Sequence, residues 1–184
     1  MILPIYLFGQ PVLRKEAEEV PADYPELGTL VENMYLTMEK ANGVGLAAPQ
    51  VGLALRMFVV DGNGLAEDYP ECTGVRRCMI NPEIVEQSDE TNMKEEGCLS
   101  IPGIYESVKR PNWVVVNYLD EKFEEHEERL EGFAARMVLH EYDHLDGKMF
   151  VDHVSPLRKT FIKSKLTAIM KGKNNPSYKF RGVK

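Results

Sequence analysis

The sequence predicts an α+β fold, with mixed or antiparallel strands packed around a central helix and one further helix on each side of it in the chain. Three observations carry this expectation. Apolar residues recur with helical spacing near the start and near the end of the chain. Runs rich in β-branched and aromatic residues lie between those stretches and do not alternate with helices one by one, unlike a βαβ chain. Residues 132–146 read as a third helix, closed by Gly147.

Each element has a local reason. Leu27, Leu30, Val31, Met34 and Met38 fall three and four residues apart, so they share one face of a helix. Asn42-Gly43 stops it, because Gly tolerates the left-handed conformation that closes a helix. Met57-Phe58-Val59-Val60 reads as a buried strand. Residues 61–77, with three Gly, one Pro and mixed charge, read as a long surface loop. Met79-Ile80-Asn81-Pro82 and Ile84-Val85 suggest a strand broken at Pro82. The stretch from Trp113 to Tyr118 pairs with that from Phe123 to Leu130 as a hairpin around Asp120-Glu121-Lys122. Pro156 opens a last helix at residues 156–171, where Leu157, Phe161, Leu166, Ile169 and Met170 form a rough apolar stripe. The expected organisation is one catalytic domain over residues 1–171 and a basic tail over 172–184.

Composition narrows the class. Charged residues at 28% and hydrophobic ones at 43% exclude wholesale disorder. No apolar run approaches the roughly 20 residues that span a bilayer. The apolar opening lacks a basic region and a cleavage site, so no signal peptide is expected. Three Cys argue against a disulfide framework and for a reducing, cytoplasmic setting. Charge is uneven: all 29 acids lie at or before Asp152, whereas residues 153–184 carry nine Lys/Arg and no acid. The acidic body argues against general nucleic-acid or DNA binding. The basic end is either a solvated helix face or a docking segment for a polyanion such as ribosomal RNA.

The chemistry concentrates in His140-Glu141-Tyr142-Asp143-His144. On a helix, positions i and i+4 share a face, so both imidazoles reach one metal ion with Glu141 beside them to handle a proton. A catalytic site needs a third ligand and one open position. The extended zinc-protease pattern places a third His where Phe150 stands, and His153 comes three residues too late. Cys98, in Glu95-Glu96-Gly97-Cys98-Leu99-Ser100, is the better third ligand, since a thiolate suits a borderline-soft divalent ion. Cys72 and Cys78 read as structural, and His126, inside an acidic run, as part of a solvated strand face or turn. The small, apolar stretch at residues 43–52 allows close backbone approach to a ligand, and its Gln50 is the one side chain there able to donate to an oxyanion.

Taken together, these segments resemble the peptide deformylase family, whose G-x-G-L-A-A-x-Q, E-G-C-L-S and H-E-x-D-H motifs stand here at residues 43–50, 96–100 and 140–144. The resemblance covers about residues 5 to 170. It departs at Leu139, where the family often has Gln, and the 61–77 segment looks like an insertion. The helical end resembles the bacterial class that finishes in a helix rather than a strand.

The resemblance implies a set of roles. Cys98, His140 and His144 would bind one divalent metal, natively Fe²⁺, with Zn²⁺ or Ni²⁺ able to replace it. Glu141 would be the general acid/base, and Gln50 with the Leu99 backbone N–H would hold the oxyanion. Val44, Gly45 and Gly97 would line the substrate cleft. Met137 and Phe133, one and two turns before His140, would line the methionine pocket. The implied reaction removes the N-formyl group of formyl-methionyl nascent chains, releasing formate. A zinc protease or other metal amidase, and a scaffold with a structural metal, are the competing readings.

Overall fold

The computed structural model describes residues 1–183. Its centre is an antiparallel five-stranded sheet in the order β2 (Gly45–Ala47), β3 (Met57–Asp61), β4 (Arg76–Gln87), β7 (Trp113–Leu119), β8 (Glu125–Glu131). β5 (Thr91–Cys98) and β6 (Ile101–Pro111) form a separate hairpin. β1 (Ile5–Tyr6) pairs in parallel with β9 (Phe180–Arg181). The helices are α1 (Leu27–Lys40), α2 (Gly132–Leu145) and α3 (Pro156–Met170).

β3 explains why one helix covers each face of the sheet. Its side chains alternate, and both sets are buried. Met57 and Val59 join Val31, Met34 and Met38 of α1, whereas Phe58 and Val60 join Ala134, Ala135, Met137 and Val138 of α2. Truncating Phe58 to Ala at such a fully buried position costs roughly 3–5 kcal/mol. A third cluster seats Ile101, Ile104 and Val108 of β6 against Phe150, Val151, Ile162 and Ile169.

α2 starts where β8 ends and stops in a left-handed turn. Gly147 has φ 67, its N–H donates to His144 O at 3.2 Å, and Lys148 N–H donates to Asp143 O at 2.9 Å. This double closure satisfies two of the end carbonyls. A Cβ at Gly147 would stand 2.7 Å from Arg14 O, so only glycine fits. Ser155 caps α3 by accepting from Arg158 N–H, and Pro156 opens it.

Several expectations change. β4 runs through Pro82 unbroken, because register shifts between Ile80 and Glu83 and between Ile84 and Glu86 absorb the irregularity. Residues 61–77 are not a solvated loop throughout. The segment makes two short 3-10 turns, Cys72 at the end of the second and Val75 beyond it are buried, Tyr69 stacks on Phe133 at 4.4 Å, and Glu71 accepts from Phe133 N–H at 2.9 Å. The β5–β6 hairpin has no counterpart in the sequence expectation. On α3 the expected stripe is only partly inward: Ile169 is buried, Leu157 and Phe161 are 66% and 62% exposed, and Ile162, outside that stripe, is buried instead. Residues beyond α3, expected as a basic tail, turn back and supply β9.

Candidate metal centre

α2 positions the first two donors. His140 and His144 sit one turn apart on its buried face, and their rings meet edge-on at 5.3 Å. Cys98 arrives from the end of β5, beside the two-residue turn that leads into β6. Ligand atoms of Cys98, His140 and His144 all lie within 4.8 Å of one another, and Cys98 Sγ is 3.4 Å from His144 Nε2.

The donor set suits a divalent metal ion. His140 Nδ1 is engaged by Glu96 Oε1 at 2.8 Å, which leaves Nε2 for a ligand and fixes the ring. Burial and the neighbouring His140 push His144 down to about 3, so it is a neutral imidazole with a free lone pair. One thiol, an imidazole oriented by Glu96, a second imidazole and an open cavity beside them match a three-ligand site with room for an exchangeable position. Glu141, buried next to them, has an Oε2 with no hydrogen-bond partner among the described residues. Burial pushes its carboxyl up to about 7, and a cation alongside would bring it back down.

Behind His140 lies a buried ion-pair network that sequence reasoning missed. Glu96 receives two bonds from Arg110, at 3.0 and 2.9 Å, and one from Arg136 at 2.6 Å. Arg110 also reaches Asp143 at 2.7 Å, and Asp143 meets His153 at 2.7 Å. Burial alone would raise the Glu96 carboxyl, but the hydrogen bonds from His140 and Arg110 outweigh it and hold the group well below the usual range. His153, rejected as a ligand by its spacing, belongs to this network. Phe150, at the position of the absent third His, packs its ring on His140 at 6.0 Å.

The other expected residues gather around a cavity of about 500 Å³. Gln50 is buried and held by its carbonyl, which accepts from Ala47 N–H at 2.8 Å. Its NH₂ group therefore faces the site, 3.4 Å from Cys98 Sγ and 3.1 Å from Ser100 Oγ. Val44, Gly45, Gly97, Leu99, Phe133 and Met137 all line the cavity with His140 and Glu141. Gly45 is there for close approach: a Cβ on it would fall 2.3 Å from Glu141 Oε1. Pro176, Ser177 and Tyr178 also line the cavity. The sequence carried no signal for them, since their place depends on the β1–β9 pairing. Burial raises the Tyr178 phenol well above its usual value, so it stays a donor.

Of the remaining candidates, Cys72 and Cys78 are buried and free. His126 lies at the β7–β8 turn beside Asp120 and Glu124, bonded to Asp120 at 2.8 Å and stacked on Tyr118. None of the described helices is long and apolar enough to cross a membrane.

Known proteins show the same combination of sequence and fold. The chain is 47% identical to a peptide deformylase of Christiangramia forsetii, covering 98% of this chain and 96% of that protein. It is 45% identical to one of Cytophaga hutchinsonii, covering 98% and 97%. The crystal structure of a peptide deformylase from Legionella pneumophila superposes with a TM-score of 0.81 at 38% identity, covering 94% of this chain and 98% of that one. Peptide deformylase 1B of Arabidopsis thaliana, solved with an inhibitor, gives 0.83 at 34% identity, covering 93% and 92%. The family model described as polypeptide deformylase matches residues 2–160, and the chain belongs to that family.

Proposed function

We propose that this chain hydrolyses the N-formyl group of formyl-methionyl nascent polypeptides, with Cys98, His140 and His144 holding a divalent metal and Glu141 moving the protons. The family removes N-formyl groups with a divalent metal. The observation that carries the assignment of residues is the convergence of three donors, two of them lining a cavity, beside a buried Glu141 whose Oε2 has no hydrogen-bond partner among the described residues.

A bound divalent ion supplies Lewis acidity, which makes water acidic enough to ionise near neutral pH. Glu141 accepts a proton from the attacking water as its oxygen bonds to the formyl carbon. The developing oxyanion takes hydrogen bonds from the Gln50 NH₂ and the Leu99 N–H, a kind of donor whose loss typically costs about 10²–10³ in rate. Glu141 then returns the proton to the amide nitrogen, so that the C–N bond breaks to a neutral amine and formic acid, which loses its remaining proton to water or to the released amine and leaves as formate. Phe133 and Met137 give an apolar pocket for the methionine side chain, and Val44 lines the cleft beside it. Gly45 and Gly97 leave room for the substrate backbone.

Fe²⁺ is the proposed native ion, with Zn²⁺ or Ni²⁺ able to replace it. A role on nascent chains and the low cysteine count favour a cytoplasmic location. The nine Lys/Arg of residues 153–184 favour docking on the ribosome, and ribosome binding that is absent at low salt would count against it. The test of the activity is formate release from a formyl-Met tripeptide, with an acetyl-Met tripeptide as control, using protein purified without oxygen. Release from the formyl substrate alone is expected. No release from protein carrying one metal per chain would overturn the assignment.

A further inference from the structure

The turn between Cys98 and Ile101 carries a proposed metal ligand and a proposed oxyanion donor on adjacent residues. Bonds from three distant parts of the chain pin it. Gln50 Nε2 donates to Ser100 Oγ at 3.1 Å. Phe8 N–H donates to Ser100 O at 2.8 Å. The Tyr178 hydroxyl donates to Leu99 O at 2.5 Å.

The third bond comes from beyond residues 2–160, the part that the family model matches. The stretch that delivers it is anchored on both sides of Tyr178. Before it, Asn174 Nδ2 donates to Pro102 O at 3.0 Å, on β6. After it, β9 lies on β1, where Ile5 N–H donates to Lys179 O at 2.9 Å and Leu7 N–H to Arg181 O at 3.0 Å. Between these anchors Pro176, Ser177 and Tyr178 face the cavity. The Tyr178 ring packs in the same apolar cluster as Leu99, whereas Val44, Phe133 and Met137 belong to the cluster under α2. Tyr178 thus sits at the turn and not at the proposed methionine pocket.

We propose that Tyr178 is a positioning residue for deformylation. By holding the Leu99 carbonyl, it fixes the backbone on one side of the Leu99 Cα, so that the N–H on the other side is presented to the oxyanion in one orientation. Electrostatic stabilisation of this kind depends on donors already aimed before charge develops. A Leu99 carbonyl that loses its partner leaves the Leu99–Ser100 peptide plane less firmly held, and with it the Leu99 Cα that links this plane to the one carrying the Leu99 N–H. The proposal rests on the reading of the Leu99 amide given above.

Tyr178→Phe tests it, because the ring and its packing stay and only the hydroxyl goes. Wild type and variant are compared for formate release from a formyl-Met dipeptide and a formyl-Met tripeptide, with metal content and melting temperature measured on the same samples. The expected result is a two- to tenfold fall in kcat on both substrates, the range that one net hydrogen bond supplies. KM should change less than twofold and metal content should not change. Asn174→Ala, which frees one anchor and leaves the phenol, should shift kcat in the same direction by less. An unchanged kcat in Tyr178→Phe beside an active wild type would overturn this proposal and leave the deformylase reading standing. A loss confined to KM of the longer peptide would also overturn it, since Tyr178 would then be only a wall. A wild type that releases no formate would take the deformylase reading down first, and this inference with it.

Discussion

Glu96 Oε1 lies 2.8 Å from His140 Nδ1, across 44 residues of sequence, and the same carboxylate is clasped by Arg110 and Arg136. One buried acid therefore orients a proposed metal ligand and pairs with two buried guanidinium groups, one of which also meets Asp143. Removing it alone would strip Arg136 of its acidic partner and leave Arg110 with Asp143 alone, which is more damaging than never having had the network.

Glu96→Gln should accordingly weaken metal binding by about ten- to a hundredfold, the usual effect of losing such an outer partner, and should lower the melting temperature near neutral pH. The pH dependence has a defined sign. The folded carboxyl titrates below its ordinary value of 4.5, so its ionised form contributes stability above that pH and the contribution is lost as pH falls toward the depressed value. The gap between wild type and variant should narrow on acidification below about pH 4. Thermal melts across that range would check it, and a gap that widens in acid would contradict the assignment.

Glu141→Gln keeps the shape of a side chain that is buried and has one oxygen without a partner among the described residues. The variant should retain its metal and lose about 10²–10⁴ in kcat, the scale of a positioned acid/base. Metal analysis and formate assay on one preparation would separate loss of chemistry from loss of the ion.

Cys98→Ala removes the only sulfur donor in the cluster with His140 and His144. Metal content should drop toward zero, because two imidazoles hold a divalent ion far more weakly than a complete site. Chelation should abolish wild-type activity and a divalent ion should restore it. The same addition should not rescue Cys98→Ala at equal concentration.

Gly45→Ala puts a methyl group 2.3 Å from Glu141 Oε1 and 2.8 Å from Glu141 Cγ. Backbone strain is not the issue, since Gly45 is absent from the positive-φ glycines. The clash falls on the proposed acid/base itself. The variant should bind metal normally and fold with a modest loss of stability, yet turn over at least about tenfold more slowly, as a displaced catalytic group predicts. Activity equal to wild type would mean that Glu141 has room to serve from another position.

The parts of this molecule written in the sequence are those whose cause is local. α2 was legible because His140, Glu141 and His144 fix a helical face and Gly147 ends it. β3, β7 and β8 were legible from apolar runs and a short polar turn. Cys98 stood out by its residue type and neighbours. What was not legible depends on distant partners. Arg110 and Arg136 look like surface charges until the fold buries both against Glu96. The 61–77 segment has loop composition, yet Tyr69, Glu71 and Cys72 find their places only because Phe133 and Gly62 lie beside them. On α3 the spacing of Leu157 and Phe161 suits a buried stripe, but the hairpin they would need lies under Ile162 and Ile169 instead.

The parallel register that sets Ile5 against Phe180 also orders events in time. Joining residues so distant in sequence closes one of the largest loops in the molecule, and that entropy must be met before the few bonds of a two-residue strand return anything. The central sheet closes far shorter loops, the widest joining β4 to β7 around the β5–β6 hairpin, and is expected to assemble first. Trp113, on β7, reports on that sheet. During refolding its fluorescence should recover ahead of full deformylation, with the interval between them marking the moment when Tyr178 arrives at Leu99.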